Sequence, residues 1–210
     1  MGNYADDVSR SRSGIETSMI YAIDHKILFY HVPKTGGTSI TWWLENNNLG
    51  LIANIKPMHA HPQFLVNNNF SLPVDWSFCV VRNPWERWVS WWHYWKFIVK
   101  KFDHSFEEYT EKYFTGQYDG LRSQGGHYGS NIPQVHYSRH VDEVLRHENL
   151  EEDFKKVQDK FNCYMPLEKR GNVSKGKLHY SHYYTSSRLV DLVTEYYKED
   201  ITEFGYQYEV

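Results

Sequence analysis

The chain has 210 residues, with 23 Lys and Arg against 26 Asp and Glu, a net charge of -3 at pH 7, and an aromatic content of 17%. That length suits one domain with a sizeable core. The charge excludes any overall attraction to nucleic acid or to an anionic membrane, so an anion site has to be assembled locally from a few placed cations and backbone amides. Two cysteines, Cys79 and Cys163, are too few for a disulfide framework, and the apolar run around Cys79 marks a buried thiol. There is no 18-residue apolar stretch and the N-terminus is polar. No membrane-spanning segment and no signal peptide are expected, which points to a soluble cytoplasmic protein.

In chain order, residues 1–20 read as a loose polar arm and 21–210 as the folded domain. Ile27 to Val32 is a short apolar run of the kind that forms a buried strand. Pro33-Lys34-Thr35-Gly36-Gly37-Thr38-Ser39 follows at once, then a helix-compatible stretch carrying Trp42, Trp43 and Leu44. Trp76 to Val81 is a second apolar strand, ending at Arg82; Asn83-Pro84 then opens a helix, with proline where a missing N–H costs little. Trp85, Trp88, Val89, Trp92, Trp95 and Val99 keep helical spacing and predict one continuous apolar stripe, off which Trp91 and Tyr94 fall and can face a ligand.

Residues 115–134 are rich in Gly, Ser, Tyr and Asn and read as a substrate loop. Val141 to Arg146 predicts another strand. Asn149 with Glu152 three residues on predicts a capped helix carrying Leu150, Phe154, Val157 and Phe161 on one side. A last helix carries Leu189, Leu192, Val193 and Tyr196. Strands alternating with helices predict a single three-layer α/β domain, with a mostly parallel central sheet and helices on both faces.

Two segments carry the chemistry. Lys34 precedes the glycine pair instead of following it, so the first is not a Walker A motif. The physical ingredients are similar all the same. Gly36 and Gly37 allow a tight turn, the amides of Gly37, Thr38 and Ser39 point out of a helix N-terminus, and Lys34 adds a point charge. In the second segment Arg82, at a strand end, and Ser90, eight residues later in the following helix, can converge on one phosphate. Taken alone, Arg82 can equally pair with Glu86.

Together these segments resemble the sulfotransferase family that uses 3′-phosphoadenosine 5′-phosphosulfate (PAPS). His31-Val32-Pro33-Lys34-Thr35-Gly36-Gly37-Thr38-Ser39 is similar to its loop for the 5′-phosphosulfate, and Val81-Arg82-Asn83-Pro84-Trp85-Glu86-Arg87-Trp88-Val89-Ser90 to its 3′-phosphate motif. The likeness continues through Asp142 to Leu150 and through the ending Tyr197 to Tyr206. It lies closer to the Golgi-type, carbohydrate-modifying branch than to the cytosolic small-molecule branch, whose late Arg-Lys-Gly motif is not reproduced. Lys169-Arg170-Gly171-Asn172-Val173-Ser174 lies in the corresponding region, and the resemblance implies cofactor contacts from Arg170, Asn172 and Ser174.

The resemblance implies a P-loop-like fold, a sulfuryl transfer from PAPS to a hydroxyl-bearing acceptor, release of the bisphosphate PAP, and no metal. A saccharide is the favoured acceptor; neither nucleic acid nor membrane is expected as a partner. Lys34 would stabilise the leaving phosphate, beside Thr35, Gly36 and the Gly37 to Ser39 amides. His59-Ala60-His61, between the two anion motifs, supplies the base, because imidazole titrates near neutral pH; His61 is preferred and His59 is second. His136-x3-His140 and His179-x2-His182 have zinc-compatible spacing, but no third ligand stands beside either. Two other readings stay open: a P-loop-type nucleotide kinase or NTPase, and a non-catalytic nucleotide- or glycan-binding protein on the same fold.

Overall fold

A computed structural model describes residues 19–55, 62–67, 72–117, 131–168 and 178–209. The chain divides into two compact units, Met1–Val81 with His127–Gly171 and Arg82–Gly126 with Asn172–Val210.

The first unit is α/β. Its strands are β1 (Met19–Ala22), β2 (Ile27–Tyr30), β3 (Ile52–Ile55), β4 (Trp76–Val81) and β5 (Glu143–Arg146), in the spatial order β3-β1-β2-β4-β5. β2 pairs with β4 and β4 with β5 in parallel, while β1 pairs antiparallel with both β2 and β3. The sheet is therefore mixed where a mostly parallel one was expected. The difference comes from β1, which begins inside the stretch read as a loose arm, and from β3. β1 has four residues, all buried, and so carries no alternation of polar and apolar side chains that a sequence pattern could reveal.

Helices of this unit are α1 (Gly37–Asn46), α2 (Pro62–Asn67), α5 (Val135–Ser138), α6 (Leu150–Asp153) and α7 (Lys155–Phe161). Phe29, Phe78, Val80, Ile40, Trp43, Leu145, Phe154, Val157 and Phe161 form its core. Cys79 is buried and free, and burial pushes its thiol up. Asp142 staples the start of β5 to β4: its Oδ2 accepts from the Ser77 amide at 2.8 Å and from the Ser77 hydroxyl at 2.7 Å. The helix expected from an Asn149 cap is broken differently. A 3-10 turn, His147–Asn149, comes first, and Asn149 makes no cap bond. Its side-chain amide donates to Asp153 Oδ1, while Asp153 Oδ2 accepts from the Arg146 amide. Asp153 thus ties down the end of β5, and Asn149, which does stand at the N-cap position of α6, spends its side chain on Asp153 instead of on a cap bond.

The second unit is helical: α3 (Pro84–His93), a π-helix (Tyr94–Ile98), α4 (Phe106–Phe114), a 3-10 turn (Tyr180–Tyr183), α8 (Ser187–Tyr196) and α9 (Lys198–Phe204). The tryptophan stripe is core, as its spacing requires: Trp85, Trp88 and Trp92 are buried, and their indole N–H groups donate to Thr194 Oγ1, Thr110 Oγ1 and the His104 carbonyl. Each indole thereby buries its ring without an orphaned donor. Trp91 is buried as well, its ring 5.8 Å from that of Trp95. Val99, expected on the stripe, is 40% exposed. The wider π-turn inserts an extra residue and rotates everything beyond it out of the helical phase.

Burial raises several tyrosine hydroxyls. Tyr30 is pushed up to about 12, and Tyr184 and Tyr197 well above their ordinary value of 10.0. A raised acid in the folded state means the unfolded chain loses the proton first, so the stabilisation is complete below pH 10 and is lost as pH rises toward 12. Urea midpoints should hold steady from neutrality to the ordinary tyrosine range and then fall steeply through that window. A flat profile there would remove these hydroxyls from the stability balance.

Candidate functional site

In the first unit the site begins where β2 ends. The Thr35 hydroxyl, fully buried, donates to the Val32 carbonyl at 2.8 Å and closes the loop on itself. Lys34 takes a left-handed conformation, φ 68°, and Gly36 another, φ 90°. Gly36 is the N-cap of α1, a cap without a side chain. Gly37, the first helical residue, admits no side chain, because a Cβ there would stand 2.1 Å from Cδ2 and 2.2 Å from Nε2 of His31. The His31 ring is buried, stacks on Phe29 at 5.7 Å, and lies against the start of the helix at Gly37.

Glycine at 36 and 37 therefore has two separate causes: a backbone conformation at one and a close approach at the other. The result is a helix N-terminus with a bare backbone face, the arrangement that offers N–H groups and the positive end of the macrodipole to an anion. The amide of Ser39 is used inside the turn, donating to the Gly36 carbonyl at 3.0 Å. This differs from the expectation that all three amides, Gly37 to Ser39, point outward; Gly37 and Thr38, as the first two helical residues, have amides without an intrahelical acceptor. Lys34 and Thr38 are half-buried at the same loop. His147, to which sequence reasoning assigned no part, closes the other side. Its Cδ2, like Cδ2 of Leu150, would stand 3.3 Å from a Cβ on Gly36.

In the second unit Arg82 follows directly on β4 and is 8% exposed. Its Nη2 donates to Glu86 Oε1 at 2.5 Å, the alternative partner visible in the sequence. Asn83 caps α3, its Oδ1 accepting from the amides of Trp85 at 3.0 Å and Glu86 at 3.2 Å, with Pro84 in the first turn. The cap fixes where the helix starts, and Glu86 then orients the guanidinium over that start. Ser90, half-buried, lies one turn beyond Glu86 on the same face. Arg87, also buried, belongs to the packing instead: its guanidinium lies 5.6 Å from the centre of the Tyr197 ring. Burial raises the Tyr197 hydroxyl, and the Arg87 charge opposes that rise.

The structure thus brings Lys34, Thr35, Gly36, Gly37, Thr38 and Ser39 into one loop and its following helix start, with Arg82 just before α3 and Ser90 nearly two turns into it. His59, His61, Arg170, Asn172 and Ser174 lie outside the described residues, as do residues 118–130 of the expected substrate loop. His136 and His140 are exposed, and His179 Nδ1 lies 2.9 Å from Ser181 Oγ. Among the described residues, neither histidine pair gathers a third ligand. The partners sequence reasoning passed over were His31, His147 and the capping side chain of Asn83. An Asn-Pro step before an apolar stripe is a readable cap signal; a ring resting on a glycine leaves none.

A model described as "Sulfotransferase family" matches residues 17–129, more than half of the chain. A protein of Archaeoglobus fulgidus described as uncharacterized is 35% identical over 102 residues, covering 46% of this chain and 76% of its own length. No solved structure matches.

The close approach at Gly37 is testable. Gly37→Ala should destabilise the protein by about 1–3 kcal/mol in urea denaturation, the usual cost of overpacking. Adding His31→Ala should recover most of that loss. An equal loss with and without the His31 ring would show that the ring is not the obstacle.

Proposed function

We propose that this chain, which belongs to the sulfotransferase family, takes its sulfuryl group from PAPS and delivers it to a hydroxyl of an acceptor, with a saccharide favoured. Family membership carries sulfuryl transfer in general; the donor, the acceptor and the base are the proposal. The observation that supports it most is the loop Lys34 to Ser39, where a bare helix start formed by Gly36 and Gly37 stands beside a lysine. The fit to a phosphosulfate is chemical: backbone donors, a macrodipole and one cation face an anion, and any side chain at Gly37 would fill the space taken by His31.

β2 and β4 run parallel, with Tyr30 opposite Cys79, so the strands end at the same sheet edge. In α/β proteins that edge is where ligands bind. In the proposed arrangement the Lys34 loop holds the 5′ end of the donor, while Arg82 and Ser90 hold the 3′-phosphate. The guanidinium suits a phosphate fork-to-fork, and Glu86 keeps it aimed until the ligand arrives. Arg170, Asn172 and Ser174 are proposed as further donor contacts, on the resemblance alone.

When bound, PAPS supplies an activated sulfuryl group on a phosphate leaving group. Lys34 would offset the negative charge that builds on the departing phosphate oxygen, assisted by the amides at the start of α1, the same electrostatic logic that serves phosphoryl transfer. His61, or His59 in its place, accepts the proton of the acceptor hydroxyl as that oxygen bonds to sulfur. No metal is needed for these roles.

The kinase reading is weakened because Lys34 stands before the glycine pair and no Lys-Ser/Thr step follows it. Calorimetric titration with PAP, against ATP with magnesium and 5′-AMP, separates the two. PAP should bind tightly and the controls weakly; a preference for ATP with magnesium would sink the cofactor assignment. Arg82→Ala should weaken PAP by about tenfold to a hundredfold, the scale of a lost charge-assisted contact. Lys34→Ala should lower turnover more than PAP affinity, and His61→Ala should suppress transfer while cofactor binding persists. An active His61→Ala enzyme moves the base to His59 or elsewhere.

A further inference from the structure

The end of α3 carries a feature that donor binding does not use. The chain continues from α3 into the π-helix Tyr94–Ile98, whose wide turn is closed by the Val99 amide donating to the Tyr94 carbonyl at 3.0 Å. The Lys101 amide then donates to the Trp95 carbonyl at 3.0 Å, with Lys100 in a left-handed conformation, φ 55°. Helix ends usually give that position to glycine or asparagine. The tip so formed displays three consecutive large apolar side chains, Phe97 at 47%, Ile98 at 44% and Val99 at 40% exposure.

This exposure does not come from a loose segment. The Phe97 ring rests 4.5 Å from that of His93 and 5.7 Å from that of Trp92, itself buried. Lys96 pins the turn from the side: its ammonium donates to the His104 carbonyl at 3.1 Å, pairs with Asp103 at 3.2 Å and lies 5.5 Å from the centre of the Trp92 ring. A firmly seated turn thus holds an apolar tip in solvent, and π-turns inside helices occur frequently at functional places. Contiguous exposed apolar groups of this kind mark contact surfaces.

We propose that this tip docks the protein on an anionic phospholipid surface. Charge decides the occupant. Lys96, Lys100 and Lys101 lie within six residues of chain, and the acid beside them, Asp103, is already paired with Lys96. Lys100 and Lys101 are exposed next to the apolar tip. The whole chain carries -3, but charges farther from a surface than a Debye length, about 8–10 Å at ordinary salt, are screened, so the local lysines govern. Tyr94 and Trp95, half-buried at the base of the tip, are the ring types that sit at a water–lipid boundary. Phe97, Ile98 and Val99 enter the head-group layer and the lysines meet the lipid charge. The chain lies on the surface by this tip; among the described residues no helix is long and apolar enough to cross a membrane.

Co-sedimentation of the full chain with vesicles tests this, using phosphatidylcholine alone and phosphatidylcholine with phosphatidylserine. Binding should appear with phosphatidylserine, fall with added salt, and be weak on phosphatidylcholine. Lys100→Gln with Lys101→Gln should weaken it by about fivefold per lysine. Ile98→Ser with Val99→Ser should weaken it by about tenfold, through lost apolar insertion, with the melting temperature and PAP affinity unchanged. Equal binding to both vesicle types, binding to neither, or variants that sediment like the parent would overturn the proposal. So would a concentration-dependent dimer that Ile98→Ser abolishes, since a second copy would then cover the tip.

Discussion

Parallel pairing of β2 with β4 is the constraint on which the first unit depends. Tyr30 stands opposite Cys79 and Phe29 opposite Phe78, whose rings stack at 4.8 Å. Both strands are buried along their length, so the register is held by packing on both faces: a slip of one residue would exchange every inward and outward side chain. Parallel strands end at the same edge. The chain must leave β2 there through the Lys34 loop, leave β4 there through Arg82, and leave β5 there through His147.

The Lys34 loop shows how little sequence is needed to shape a helix start at such an edge. Thr35 gives its hydroxyl to the Val32 carbonyl, Gly36 adopts the left-handed conformation, and Gly37 yields its side-chain space to His31. None of these three provides charge. They shape the backbone so that the helix start is bare and Lys34 stands beside it. Arg82 is prepared in another way. Buried and bonded to Glu86, its charge is compensated at rest, which avoids the cost of several kcal/mol that an unpaired buried cation would carry.

In the helical unit the same economy appears in the tryptophans. Each of Trp85, Trp88 and Trp92 finds an oxygen for its indole N–H, from Thr194, from Thr110 and from the His104 carbonyl. The Tyr184 hydroxyl donates to the Trp85 carbonyl at 3.0 Å. A core of large rings thereby leaves the indole donors satisfied, and α3, built on it, leads into a π-turn with exposed apolar groups at its end.

The apolar run of β4, the glycine pair after β2, the Asn-Pro helix start and the buried Cys79 were all legible in the residues, because each rests on a local cause: side-chain period, backbone freedom, or a missing N–H. The family resemblance rested on the same segments. Other features needed contacts between residues far apart in the chain. β1 was hidden because four buried residues beside a polar arm have no period, and its antiparallel pairings, which make the sheet mixed, exist only through β2 and β3. Asn149 reads as a cap until Asp153, tied to the end of β5, claims its side chain. Val99 keeps helical spacing in the sequence and still faces solvent, since a single π-turn shifts the phase of everything after it. The amino-acid order alone determines where the backbone can turn and which faces are apolar. Which ring lies against Gly37, whether Arg82 takes up the Glu86 carboxylate that its spacing offers, and which apolar residues stay exposed depend on what the folded chain brings alongside.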